Sequence, residues 1–353
     1  MSRKLAPLAA ALCAVLLGLG GVLWLNKRLR RAAEEPQLPL RGAGVVIDWL
    51  RPRASAGATP SGEPRDFSVT SDRLRLTVGN DGSGIERHER FGSLIDLGLA
   101  EQPQDELIEL RSVLFVGGDR LPLRTLGVEA SRAGEQPVLA VEEASRDGRF
   151  ELRTEYRLAA AQDYVELVST VTNVSSKRVS AVQIGDRGRW AGTPAFAPRL
   201  GQVHVPTRAD VPWLGRAGAK QSYGFVFLAG TAQATFQFDV VGPAGEIVLG
   251  PSAELLPGKS AEFRRDAIVV GGGLGKVAEV AWRRLGKTVG HARGQLRPPP
   301  SWATISARHP DGRTVLSVPA SSDGSFDLPL PAGDFRFVLQ APGGEDEELG
   351  TVY

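Results

Sequence analysis

The sequence predicts an all-β protein that one N-terminal helix attaches to a membrane. Two observations predict the β-structure: apolar and polar side chains alternate along several segments, and glycine-containing turns such as Asp147-Gly148 separate them. Alternation with a period of two places every second side chain on the same face of a half-buried strand. A third observation, an apolar run from Leu5 to Leu25, predicts the helix, because the run is long enough to cross a bilayer.

Residues 1–31 have the features of an uncleaved membrane anchor. The apolar run follows a basic N-terminus and ends in a second basic cluster, which contains Lys27, Arg28, Arg30 and Arg31. At about 1.5 Å of rise per residue, a helix over residues 5–26 can cross a hydrocarbon layer about 30 Å thick. The run is longer than a signal-peptide core, and no small-x-small cleavage site follows it. We therefore expect a single-pass protein of the cytoplasmic membrane whose helix contacts the lipid bilayer.

The two flanks of the anchor leave its orientation open. Both are basic, with slightly more positive charge after the helix, which by itself favours a cytoplasmic body. Long downstream domains, however, are translocated largely regardless of charge. We expect the body to be extracytoplasmic.

Charge and cysteine content restrict the partners of the body. Six of the 42 basic residues lie in the anchor segment, which leaves 36 basic and 40 acidic residues, a net charge of −4. The body contains no basic stripe, so a nucleic-acid partner is not expected. The single cysteine, Cys13, lies in the apolar run, so disulfides and thiolate metal sites are not expected in the body. No metal or other cofactor is expected, since metal-ligand spacing is absent among His88, His204, His291 and His309.

The body divides into four predicted segments. Residues 32–66 are rich in Pro, Gly, Ala, Ser and Glu and predict a flexible linker, within which residues 44–50 predict an edge strand or an interfacial contact of Trp49. Residues 67–270 predict a large antiparallel β-sandwich, residues 271–292 a Gly-rich turn with a short helix, and residues 293–353 a small second β-sandwich. The predicted strands of the large sandwich include 74–78, 150–158, 165–171, 223–228, 235–240, 246–249 and 261–270, and the helix is expected over 276–286.

Two of these segments resemble known folds. The sequence Ser322-Asp323-Gly324-Ser325-Phe326-Asp327-Leu328, followed by Leu330–Phe337 (LPAGDFRF), resembles the carboxypeptidase-regulatory-like, transthyretin-like β-sandwich. The larger domain resembles the galactose-mutarotase-like supersandwich. The order of anchor, sandwich, helix and small sandwich is similar to the N-terminal part of bacterial PHP-type metallohydrolases. In those enzymes a His-x-His pair opens the catalytic domain, and this sequence contains no such pair.

The candidate ligand-binding residues follow the predicted strand Val182–Ile184. They combine a carboxylate, two guanidinium groups, an imidazole and three aromatic rings: Asp186, Arg187, Arg189, Trp190, Phe196, His204 and Trp213. Carbohydrate sites join an aromatic platform to planar polar groups that form paired hydrogen bonds. The alternative is a structured connection in which Trp190 fills the sandwich edge and Asp186 pairs with Arg187 or Arg189.

Four other segments are expected to have no ligand. Residues 271–276 (GGGLGK) lack the Walker spacing, so a connector is expected rather than a phosphate loop. Asn173-Val174-Ser175 fits the glycosylation sequence but is expected to be a turn, and the charged segments 84–90 and 345–348 are expected to be solvated loops.

The sequence therefore favours a membrane-anchored, extracytoplasmic protein that binds a carbohydrate or another cell-envelope partner and has no catalysis of its own. Two alternatives stay open. The chain is the non-catalytic N-terminal portion of a PHP-type metallohydrolase, or it is a mutarotase-like enzyme that uses His204, for which the sequence offers no matching glutamate motif.

Overall fold

The computed structural model describes residues 38–49, 66–80, 91–102, 106–191, 194–218, 220–237, 245–298, 303–340 and 346–352. The predicted anchor over residues 5–26, most of the predicted linker and the charged segment 84–90 lie outside these ranges. Within them, no helix is both long and apolar enough to cross a membrane. Residues 39–353 form one compact unit.

The described part of the chain is almost entirely β-structure. The strands before residue 200 are β1 (Leu40–Gly42), β2 (Val45–Trp49), β3 (Phe67–Thr70), β4 (Leu74–Val78), β5 (Leu94–Leu99), β6 (Leu107–Val116), β7 (Asp119–Leu121), β8 (Leu123–Ala133), β9 (Gln136–Ser145), β10 (Phe150–Leu158), β11 (Tyr164–Asn173), β12 (Val179–Trp190) and β13 (Ala195–Ala197). The later strands are β14 (Gly201–Val203), β15 (Thr207–Val211), β16 (Trp213–Ala217), β17 (Gln221–Phe227), β18 (Ala232–Gln237), β19 (Gly245–Leu249), β20 (Ala253–Leu255), β21 (Ser260–Gly271), β22 (Val289–Gln295), β23 (Thr304–Arg308), β24 (Thr314–Pro319), β25 (Ser325–Pro331), β26 (Phe335–Gln340) and β27 (Glu347–Val352). Helix α1 spans Leu274–Arg284.

Two large antiparallel sheets form the sandwich. The first sheet has the order β1-β2-β3-β4-β5-β6-β12-β19-β18-β15, with β20 also paired to β12 and β7 to β6. The second sheet has the order β14-β13-β16-β17-β21-β11-β10-β9-β8. Strand β10 shows how the sequence produces this layer: every second residue, Phe150, Leu152, Thr154, Tyr156 and Leu158, is buried, and the residues between them are more exposed. The predicted alternation at 150–158 is therefore confirmed, and the core lies between the two sheets.

Helix α1 packs between the second sheet and the C-terminal strands. Only Gly272 and Gly273 separate it from β21, so the glycine-rich turn before the helix is shorter than expected. The buried face of the helix includes Leu274, Val277 and Ala281. The same core cluster contains side chains from the second sheet and from the strands after residue 300: Val226, Ile268, Ile305, Leu316 and Leu328.

The C-terminal strands form two small sheets. Strands β22 and β25 pair with each other, and the other sheet has the order β24-β23-β26-β27. An isolated bridge between Arg199 and Thr314 connects them to the large sandwich. The transthyretin-like assignment and the domain boundary at residue 293 stay predictions.

Two loop predictions are wrong. The segment Gly185–Trp190 does not leave the strand but continues β12 to its end. Gly185 and Gly188 have no side chains, so they hide the alternation from a pattern search. The predicted loop over 345–348 becomes strand β27 from Glu347 onward. This strand lies at the edge of its sheet and pairs through its backbone with β26, so it needs no apolar alternation.

Candidate functional site

Asp186 lies in the sandwich interior and joins the two large sheets. Its carboxylate accepts hydrogen bonds from Arg265 on β21, at 2.6 Å from Nε to Oδ2 and a second one from Nη2. Arg265 is fully buried. The expected pairing of Asp186 with Arg187 or Arg189 is therefore wrong, because neighbours along a strand point to opposite faces.

A chain of hydroxyl groups extends this interior ion pair. Arg265 Nη1 donates to Ser169 Oγ at 2.8 Å, Ser169 Oγ lies 2.7 Å from Thr154 Oγ1, and Thr154 Oγ1 lies 2.9 Å from Ser112 Oγ. Ser112 is on the first sheet, directly opposite Asp186 across strands β6 and β12. The two ends of this polar chain, Asp186 and Ser112, therefore lie on the first sheet, and its middle members lie on the second sheet. Its buried charge is paired and hydrogen-bonded, as a stable interior requires.

Trp190 takes part in a second interior polar contact. Its indole Nε1 donates to Glu246 Oε1 at 2.6 Å, and Arg216 Nη2 donates to Glu246 Oε2 at 2.6 Å. The ring lies 5.5 Å from the Arg216 guanidinium and is 1% exposed. Gly188 makes room for this contact, since a Cβ there would lie 2.6 Å from Glu246 Oε1. Trp190 therefore offers no open ring face to a ligand.

The remaining aromatic candidates are also core residues. Phe196 stacks on Trp213 with ring centroids 5.6 Å apart, and Trp213 meets Trp282 of helix α1 at 5.5 Å in an edge-on contact. Phe196 and Trp213 are both fully buried. His204 is exposed between β14 and β15, and within the described ranges no carboxylate forms an ion pair with it. The structure does not bring these three side chains together with Asp186 and Trp190 in one pocket.

Arg187 and Arg189, by contrast, lie on the outer face of the first sheet. Arg187 is exposed and directly opposite Arg111 of β6, and Arg189 lies opposite Glu109, with 3.7 Å between their charged groups. Arg120 of the neighbouring strand β7 adds a third positive charge. Partial burial, together with the charges of Arg187 and Arg111, lowers the pKa of the Arg120 guanidinium. We call Arg111, Arg120, Arg187 and Arg189 the arginine face.

Two of the four cations of the arginine face, Arg111 and Arg189, are paired with carboxylates of the described residues, Glu143 and Glu109. Directly opposed like charges on neighbouring strands destabilise a sheet. Among the described residues, none forms an ion pair or hydrogen bond with the Arg187 or Arg120 side chain. Half-buried apolar side chains flank the guanidinium groups: Ile247 lies opposite Arg187, and Phe115 lies opposite Arg120. This arrangement suits a ligand with negative charge and some apolar surface.

Glu143 of β9 is a buried carboxyl on the inner face of the second sheet, opposite the core residue Leu152. It is 3% exposed, and its Oε1 lies 3.7 Å from Arg111 Nη2, an ion pair too long for a hydrogen bond. Burial raises the pKa of Glu143 to about 7, with Asp186 adding to the rise and Arg111 opposing it. A buried carboxyl with a pKa shifted toward neutrality meets one physical criterion for a functional group.

A groove of about 580 Å³ opens at one end of the sandwich. Val116, Gly117, Arg149 and residues 175–181 line it. The glycosylation sequence borders this region, but Asn173 is fully buried and its Nδ2 donates to the carbonyls of Lys177 and Leu255. Asn173 Oδ1 accepts from Ser175, so the predicted turn at 173–176 is confirmed.

No protein-family model matches this sequence, and neither does any curated protein. Solved structures with some similarity include the GH36 α-galactosidase AgaB from Geobacillus stearothermophilus, at 12% identity and a TM-score of 0.47, over 62% of this chain and 42% of that one. A TPR-domain containing protein from Parabacteroides distasonis has 12% identity and a TM-score of 0.46, over 65% and 56%. A galactose mutarotase related enzyme from Lactobacillus acidophilus has 9% identity and a TM-score of 0.39, over 58% and 97%.

The chain spans about half the length of the first two of these structures. At such TM-scores and identities, the similarities carry no argument about the ligand. The ligand class must therefore follow from the side chains of this chain.

The sequence pointed to Asp186 and Arg187 but not to the side chains that lie beside them in the structure. Arg265 could have been found, because it has the same parity as the buried Phe263 in the predicted strand 261–270 and so shares its inward face. Arg111 and Arg120 could not, because nothing local in the sequence shows which strands pair with β12.

Proposed function

We propose that the protein is a membrane-tethered, extracytoplasmic and non-catalytic binding protein, and that its arginine face binds an acidic carbohydrate of the cell envelope. One observation carries the proposal: Arg187 and Arg120, which form no ion pair with any described residue, lie close together on the outer face of the first sheet, where partial burial, and after it repulsion from Arg187 and Arg111, lowers the pKa of Arg120. An anion placed between these groups removes that repulsion. The tether rests on the apolar segment of residues 5–26.

Guanidinium groups suit the carboxylate of an acidic sugar. Arginine presents a planar fork of donors that binds a carboxylate with two parallel hydrogen bonds. The half-buried side chains of Phe115 and Ile247 supply apolar surface for the carbon face of a sugar ring. The face therefore combines the two contacts that the sequence suggested for Arg187 and Trp190, with different residues providing the apolar part.

The interior carboxylates support a structural role for the buried polar groups. Asp186 is bound by Arg265, Glu246 by Arg216, and Asp266 by Arg284 of helix α1. Each of these carboxylates is buried. Their hydrogen bonds hold sheets and helix together, and we assign them no part in ligand binding.

Acid–base catalysis by Glu143, the buried ion-pair partner of Arg111, is the second candidate function. A carboxyl with a pKa of about 7 can both donate and accept a proton near neutral pH. Turnover of an acidic sugar that Glu143→Gln abolishes without weakening binding would establish this alternative over the non-catalytic one.

The test is calorimetric titration of the full-length protein in detergent with galacturonate and with galactose. We expect galacturonate to bind more tightly, and Arg187→Gln to weaken its binding by about tenfold or more, because a hydrogen bond to a charged group contributes about 1.5–3 kcal/mol. Arg264→Gln is the matched control, since Arg264 is exposed on the second sheet. Equal affinity for the two sugars, or an unchanged affinity in Arg187→Gln, would refute the proposal. Trp190→Ala is not a useful probe, because the ring is buried.

A further inference from the structure

We infer that the ligand is a linear polyanion that extends from the arginine face into the groove at the end of the sandwich. The inference rests on the proposed function and specifies its ligand: an acidic polysaccharide rather than a single acidic sugar.

The groove belongs to a well-connected group of turns, which we call the turn end. It contains the turns that follow β6, β9, β11 and β20. Backbone hydrogen bonds join them: Val174 N donates to Arg149 O at 2.9 Å, Gly117 N to Ala181 O at 3.0 Å, and Gly258 N to Asn173 O at 2.7 Å. The groove is therefore a fixed feature of the fold and not the gap between two independent loops.

The groove is basic and rich in hydroxyl groups. Arg149, Lys177 and Arg178 line it together with three serines. Arg149 is paired with Asp147 and Arg178 with Glu254, both as exposed pairs that solvent weakens. Among the residues that the structure describes, none forms an ion pair with the exposed Lys177 ammonium group. The cations and hydroxyl donors fit a negatively charged, hydrated ligand.

Strands β6, β7 and β12 run from the groove to the arginine face. On β12, Ser180 and Ala181 line the groove, and Arg187 lies six residues further along. On β6, Val116 lines the groove, and its neighbour Phe115 lies opposite Arg120. At about 3.3 Å per residue, Ala181 and Arg187 are about 20 Å apart. One sugar cannot contact both ends, whereas a linear chain with repeated negative charges can.

A polysaccharide fits these strands better than a nucleic acid. Single-stranded nucleic acids are held by stacking bases on aromatic side chains. Along this path the described aromatic ring is Phe115, which is half-buried. Guanidinium, ammonium and hydroxyl donors spread along a strand match the regularly spaced carboxylates of an acidic polysaccharide.

The test compares mono-, di-, tetra- and octagalacturonate as ligands of the full-length protein in detergent. We expect affinity to rise at least about tenfold from the dimer to the octamer, because a second contact on the same chain binds at a high effective concentration. The double variant Lys177→Gln/Arg178→Gln should lose this rise and keep the dimer affinity, whereas Arg187→Gln should weaken every length. Lys259→Gln is the control, since Lys259 is exposed at the turn end but does not line the groove.

Each outcome supports or overturns a stated part of the proposed function or of the polyanion inference. Binding of the short sugars with no increase for the octamer overturns the polyanion and keeps the proposed function. Failure of every length to bind overturns both. An increase with length that Lys259→Gln removes as fully as the double variant does overturns the assigned path. Tighter binding of a single-stranded oligonucleotide with the same number of charges overturns the polysaccharide as the ligand class.

Discussion

Replacing Asp186 with asparagine tests whether the interior of the sandwich depends on the Asp186–Arg265 ion pair. Asparagine keeps the size of the side chain and removes its negative charge. Arg265 is fully buried, so its guanidinium cannot turn to solvent and stays in the core as an uncompensated cation. Breaking a buried pair in this way costs about 3–5 kcal/mol.

The expected shift in melting temperature follows from the size of the folded unit. Residues 39–353 form one compact unit of about 315 residues, and an unfolding entropy of about 2.1 cal/mol/K per residue gives about 0.66 kcal/mol/K. A loss of about 4 kcal/mol then lowers the midpoint by about 6 °C. Differential scanning calorimetry of the full-length protein in detergent measures this shift.

Arg187→Gln is the matched control for this experiment. Arg187 is the next residue on the same strand, but it is exposed and points to the other face, so we expect a change within about 0.5 kcal/mol. Converting both partners to apolar residues, Asp186→Leu with Arg265→Met, should recover part of the loss, because no unpaired charge remains. A midpoint for Asp186→Asn that equals that of Arg187→Gln would refute the assignment of this pair as a stabilising contact between sheets.

Three further predictions concern stability and modification. Gly188→Ala should destabilise the protein by about 1–3 kcal/mol in urea titrations, because the new methyl group meets the Glu246 carboxylate; an unchanged urea midpoint would contradict this contact. The raised pKa of Glu143 means that the folded protein keeps a proton that the unfolded chain releases, so stability should fall as pH rises from about 4.5 to about 7. Glu143→Gln should flatten this slope, and identical slopes in the two proteins would refute it. Asn173 should carry no glycan when the protein is made in a glycosylating host, since its amide is buried and donates two hydrogen bonds; a mass increase removed by glycosidase and by Asn173→Gln would contradict this.

Strand positions could be predicted from the sequence wherever side chains of contrasting polarity alternate. The segments 74–78 and 150–158 match β4 and β10 residue for residue. Alternation did not reveal the second half of β12, because two glycines interrupt the pattern in the part of the strand that contains Asp186 and Arg187. Long-range pairing was not accessible either: Arg265 is 79 residues away from Asp186 along the chain.

The candidate site shows the same limit. The sequence selected Arg187 and Arg189 for their chemistry, and the structure places both on the outer face of the first sheet. It also selected Trp190, Phe196 and Trp213, which are core residues. An aromatic residue in a Gly- and Pro-rich stretch has the same local sequence whether it packs inside or faces solvent, so only the tertiary structure separates the two cases.

Helix α1 affects how the protein can be divided. Its apolar side chains lie in one core cluster with residues of the second sheet and of the C-terminal strands, and a Cβ placed on Gly275 would already be in van der Waals contact with Val318 and Pro329. Removing the C-terminal strands would expose the helix, and removing the helix would uncover both of its neighbours. The large sandwich and the C-terminal strands should therefore unfold in one cooperative transition. For the same reason, an exchange of the C-terminal strands with those of another protein would have to include the helix.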